Sequence, residues 1–120
     1  MIEGFFDDQD ALLFEINFIT SDGLELAVDA MLDKGFSDWL AINHQDLDAL
    51  GWTYFDQQTM RTARGDVRFD IYAGKLGIDG SEFNIPIHLG KNLTEVLLGR
   101  QWLTTRRLVV DMPSGELTLG

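Results

Sequence analysis

The stretch Ala27-Val28-Asp29-Ala30-Met31-Leu32-Asp33-Lys34-Gly35-Phe36-Ser37-Asp38-Trp39-Leu40 decides how the chain is read. An apolar run ends in the carboxylate of Asp33, and Gly35 follows two residues later. A second apolar run, Trp39 to Ile42, starts straight after the turn. This layout places one carboxylate on a tight loop held from both sides by buried strands. Asp33 is therefore the candidate reactive group, with Lys34 and Gly35 completing its loop. A plainer role also fits Asp33: a loop cap that accepts backbone N–H bonds.

Working outward, the flanking sequence is β-rich. Phe14, Ile16 and Phe18 alternate with Glu15 and Asn17, the period of a half-buried strand. Phe5-Phe6 predicts a short edge strand. Ser21-Asp22-Gly23 predicts a turn, with Leu24 to Leu32 as the return strand. Asn43 is a good N-cap and Gly51 a good stop for a short helix over residues 45–50. Residues 52–79 predict a long hairpin whose tip is Arg64-Gly65-Asp66. It is too polar on one side for a core pair and suits an arm that projects or covers. Asp79-Gly80 marks another turn. Glu82 to Leu89 reads as a strand, and Pro86 points to an edge or bulge. Val96-Leu97-Leu98 ends a buried strand, Gly99 opens a second short helix to Thr105, and 108–111 with 117–119 closes the chain as a hairpin. The expectation is one all-β domain over residues 1–120 with two short helices.

Composition narrows the function. With 45% hydrophobic residues the chain can build a core, and no apolar run approaches the ~20 residues of a membrane span. The start, Met1-Ile2-Glu3-Gly4, lacks a basic signal-peptide region, so a cytoplasmic protein is expected. The absence of Cys excludes thiolate catalysis and Cys-based zinc sites. The net charge of −11 argues against nucleic acid and anionic membrane surfaces as partners. His44 and His88 stand without a second ligand at metal-binding spacing, so no metal or cofactor is expected, and each reads as a surface or core polar residue. Ser37, His44 and Asp46 form a triad only on paper, because no nucleophile elbow surrounds Ser37. Trp52 and Trp102 read as core anchors.

Two signals lie in a telling order. Met31-Leu32-Asp33-Lys34-Gly35 is apolar-apolar-Asp-x-Gly, and Leu97-Leu98-Gly99, opening Arg100-Gln101-Trp102-Leu103, is apolar-apolar-Gly about 60 residues later. Between them lies the hairpin with Ala63-Arg64-Gly65 at its tip. Over roughly residues 2–119 the chain resembles the retropepsin-like aspartic proteases, in particular the small single-lobe bacterial relatives. The resemblance implies a closed barrel-type half-lobe and a peptidase that is complete only as a homodimer, with Asp33 of each chain meeting at the two-fold axis. It implies that Ala63, Arg64 and Gly65 belong to a flap over a peptide or protein substrate. Leu97, Leu98 and Gly99 would support the Asp33 loop, and Leu117 to Leu119 would join an intermolecular sheet. The family pattern has Thr or Ser where this chain has Lys34. That hydroxyl is expected to bond across the dimer axis, and an ammonium, which only donates, cannot replace it. The implied activity is therefore weakened or abolished, and the alternative is a pseudoprotease that grips extended peptides without cutting them.

Overall fold

Alternation on the first long strand organises the sheet. The computed structural model describes residues 1–63, 65–91 and 93–120. Strand β3 (Leu12–Ile19) buries Phe14, Ile16 and Phe18 and turns Glu15 to solvent. The short β1 (Ile2–Glu3) and β2 (Phe5–Phe6) precede it, and β2 pairs along its start as an edge strand. The turn at Ser21-Asp22-Gly23 closes as expected: Gly23 takes φ 90° and donates to the Thr20 carbonyl. Strand β4 (Glu25–Asp33) returns antiparallel to β3 and ends at Asp33.

The remaining strands are β5 (Leu40–Asn43), β6 (Thr53–Thr62), β7 (Gly65–Ile78), β8 (Ser81–Gly90), β9 (Val96–Gly99), β10 (Leu108–Asp111) and β11 (Glu116–Leu119). Hydrogen bonding runs β3-β4-β9-β5-β8-β7, and β7 pairs again with β3 through Asn17↔Gly77 and Phe18↔Leu76. Six strands thus close into a barrel, with β2 and β6 attached outside the ring. Most pairs are antiparallel; β4 with β9 and β5 with β8 are parallel. A second sheet, β1-β11-β10, closes one side of the core with Leu117 and Leu119 buried.

Three expectations need correction. The two helices are single 3-10 turns, His44–Asp46 and Arg100–Thr104. Asn43 does cap the first, accepting from the Gln45 N–H at 3.1 Å. The chain must bury Leu50 and turn at Gly51 (φ 68°) within seven residues, which leaves no room for an α-helix to propagate. The second turn is anchored by Trp102, which is buried in the core and donates Nε1–H to the Trp39 carbonyl. Strand β8 is internal, not an edge. Pro86 pairs with Ala73 of β7, and β5 takes up pairing on the other side only from Ile87, so the missing N–H falls where β8 has one neighbour. Finally, β11 finds both neighbours, β1 and β10, in its own chain, so Leu117–Leu119 has no open edge to offer a partner's sheet.

Candidate active site

Asp33 is the last residue of β4, and its Cα lies opposite Gly99 in the parallel pairing with β9. Its carboxylate is half-buried, and Oδ1 accepts the Gly35 N–H at 2.9 Å. The Asp33 carbonyl accepts from Phe36 at 3.1 Å, which closes the turn. Gly35 is fitted to this geometry: a Cβ there would stand 3.1 Å from Oδ1. Among the described residues, Oδ2 accepts no hydrogen bond. The carboxylate thus spends one oxygen on its loop and keeps one for another group. Lys34, between the two, is exposed.

The loop is bolted to the segment that follows β9. Gly99 N–H donates to the Trp39 carbonyl (2.9 Å), Arg100 to Phe36 (2.8 Å) and Gln101 to Asp38 (3.3 Å). Trp102 Nε1 adds a bond to the Trp39 carbonyl at 2.8 Å, and the two indoles meet edge to face at 4.7 Å. The approach at Gly99 is so close that a Cβ would fall 1.7 Å from the Asp38 carbonyl oxygen. Leu98 is fully buried beneath, and Leu97 is half-buried. The structure therefore brings Asp33, Gly35, Leu97, Leu98 and Gly99 together in one cluster.

The β6–β7 hairpin buries Ile71, Leu76 and Ile78 at its root and is mostly exposed beyond Ile71, with Met60 and Phe69 half-buried; at its end the backbone of Thr62 pairs with Gly65 (φ 103°). Ala63 is exposed at the tip, and Arg64 lies outside the described residues. A register shift between Tyr54 and Asp56 bulges Phe55 into solvent. Neither of the two main cavities touches Asp33. One, of about 490 Å³, lies between Ile19, Trp52, Phe55, Tyr72 and Pro86; the other lies by Gly4 and Leu117. Lys34 and Gly35 beside Asp33 are exposed, so the loop lies at the open surface of the single chain.

No protein-family model matches the sequence, and neither does any curated protein. Solved structures do match. A retropepsin-like aspartic protease from Rickettsia conorii aligns with TM-score 0.70 at 24% identity, over 98% of this chain and 88% of that one. The EIAV protease complexed with the inhibitor HBY-793 aligns with TM-score 0.62 at 13% identity, over 82% of this chain and 90% of that one. The chain has the retropepsin-like fold.

Within this retropepsin-like barrel, one of the two histidines read as surface or core polar residues takes the core place, with partners that the sequence did not show. His88 on β8 is buried, 1% exposed. Its Nε2 lies 3.1 Å from Gln58 Oε1 on β6 and 3.4 Å from Asp38 Oδ2 on the Asp33 loop. Phe36 and Phe69 pack on it edge to face at 5.3 and 5.6 Å. Burial lowers its pKa below the usual imidazole value, and the Asp38 charge only partly opposes this. The signal was a titratable residue inside the apolar run Ile85 to Leu89, in a strand read as an edge because of Pro86.

Proposed function

We propose that the protein is an aspartic-type endopeptidase that works as a homodimer through paired Asp33 carboxylates. The observation that carries this reading is Asp33 itself: within a retropepsin-like fold, it stands on a braced loop at an open face with Oδ2 uncommitted. Peptide hydrolysis in this fold needs two carboxylates. One, ionised, takes a proton from the attacking water. The other, protonated, donates to the scissile carbonyl. Two carboxylates about 3 Å apart cannot both ionise and so share one proton. One chain has one such aspartate, so a second copy supplies the other.

The exposed β6–β7 hairpin, with Ala63, Arg64 and Gly65 at its end, serves in this reading as the flap that closes over an extended peptide. Leu97, Leu98 and Gly99 hold the Asp33 loop from below. Lys34 is the weak point. Two ammonium groups near the axis favour ionised Asp33 on both chains and cannot accept the bonds that a hydroxyl would. Activity in the native chain is correspondingly low.

The test compares three proteins on an acidic-pH peptide library: the native chain, Lys34→Thr and Asp33→Asn. Lys34→Thr should raise kcat/KM about tenfold, the worth of about one hydrogen bond in the transition state, and pepstatin should inhibit it. Asp33→Asn should lower turnover about 1,000-fold, within the range for loss of an acid–base group. Equal, pepstatin-insensitive rates for all three would overturn the assignment.

A further inference from the structure

A buried histidine in a core is normally satisfied at both ring nitrogens. His88 is not: Nδ1 is buried and has no hydrogen-bond partner among the described residues. The groups at Nε2 are both acceptors, the Gln58 carbonyl oxygen and the Asp38 carboxylate, so the proton belongs on Nε2 and Nδ1 is bare. A leucine would fill this slot without an orphaned acceptor. What the imidazole adds is a link. Gln58 belongs to the outgoing strand of the hairpin and Phe69 to its return strand. Asp38 and Phe36 belong to the loop that carries Asp33. Its neighbours in register are apolar, Ala41 on β5 and Ile71 on β7. Among the described residues, Asp38 is the one charged group in contact with it.

We propose that His88 is a positioning residue, a neutral joint whose Nε2–H, donated to Gln58 beside the Asp38 carboxylate, holds the hairpin stem in register with the Asp33 loop. Closure of the hairpin over a peptide is thereby tied to the placement of the carboxylate. The consequence for turnover rests on Asp33 being the working group; the joint itself does not.

The joint also responds to acid. A second proton would create an Nδ1–H with no acceptor in its slot, and burial resists that charge. His88 therefore stays neutral below the ordinary imidazole range. Once the pH falls through its lowered value, the ring must leave the slot or find a new partner, and the hairpin stem is released.

Two variants separate the joint from simple core filling. His88→Leu fills volume but donates nothing, whereas His88→Gln places an amide N–H near the Nε2 position and does not titrate. Hydrogen exchange read by segment should be about tenfold faster over 53–62 and 33–39 in His88→Leu than in the native chain, with the barrel strands unchanged and His88→Gln close to native. Imidazole NMR of the native chain should show Nε2 protonated and Nδ1 bare at neutral pH. In the Lys34→Thr background, His88→Leu should raise KM more than it lowers kcat, and His88→Gln should extend the acid limb of kcat/KM to lower pH. Uniform loosening of the whole barrel in His88→Leu, no change in exchange, or a protonated Nδ1 would each overturn the joint. Segmental loosening with no cleavage by any variant would keep the joint and reject the peptidase.

Discussion

At the scale of single residues, the proposed pairing of Asp33 and the Lys34 beside it make opposed electrostatic demands. A shared proton needs one neutral carboxyl, and a nearby ammonium favours two charged ones. His88 gives a third demand, and its sign can be worked out. Its folded pKa lies below the unfolded value, because burial outweighs the attraction of Asp38. Between that lowered value and about 6.5, the unfolded chain binds a proton that the folded chain does not. The contribution of His88 is therefore fully kept above about pH 6.5 and declines as pH falls toward the lowered value. Thermal melts from pH 7.5 to 5 should show the native chain losing stability more steeply than His88→Gln, and parallel curves would contradict this. The position of Asp33, at the end of a strand and the start of a tight turn, could be read from the chain because the apolar run stops there and Gly35 follows. His88 could not, because its partners Gln58 and Asp38 come from strands and loops whose meeting depends on the closed barrel.

At the scale of elements, the strands were legible wherever period 2 was unbroken, as in β3, or where Gly fixed a turn, as at Gly23, Gly65 and Gly115. The helices were not. Residues 45–50 carry a proper N-cap and an i, i+3 leucine pair, yet tertiary constraints shorten them to one 3-10 turn. Propensity decides little in a six-residue segment pinned at both ends. Pro86 misled in another way: proline reports a missing neighbour at one residue, not along a whole strand. The brace between the Asp33 loop and the segment after β9 permits a sharp prediction. Gly99→Ala would force its methyl into the Asp38 carbonyl, where backbone, not a flexible side chain, must yield. This should cost about 3 kcal/mol, a fall in melting temperature of about 10 °C by calorimetry. Gly115→Ala, by contrast, meets open space and should cost only the strain of φ 73°.

At the scale of the whole molecule, charge and topology together constrain assembly. Two copies at −11 each repel, so a dimer must be held by apolar and backbone contacts. Because β11 is already flanked by β1 and β10, further strand pairing at this sheet falls to the outer edges of β1 and β10, the latter near the exposed Val110 and Met112. Sedimentation equilibrium should therefore show the dimer tightening several-fold between 0.05 and 0.5 M salt, as screening removes the repulsion. A dimer that weakens with salt would mean that ion pairs hold it. No helix among the described residues is long and apolar enough to cross a membrane.

The closed ring has a narrow seam where β3 meets β7. β6, β7 and β8 join as neighbours along the chain, and β3 with β4 likewise, but β5 meets β9 only through Leu40↔Leu98 and Ala41↔Leu97, and β3 meets β7 only where Asn17 and Phe18 face Gly77 and Leu76. That is two residue pairs, contributed by positions about sixty residues apart. Local hairpins can form first, while the seam carries the loop-closure cost with few bonds of its own to offset it. Leu76 and Phe18, both buried there, supply the packing that shuts it. Either two-pair contact is a weak link of the ring, and the β3–β7 one lies on the side of the barrel where the hairpin is rooted.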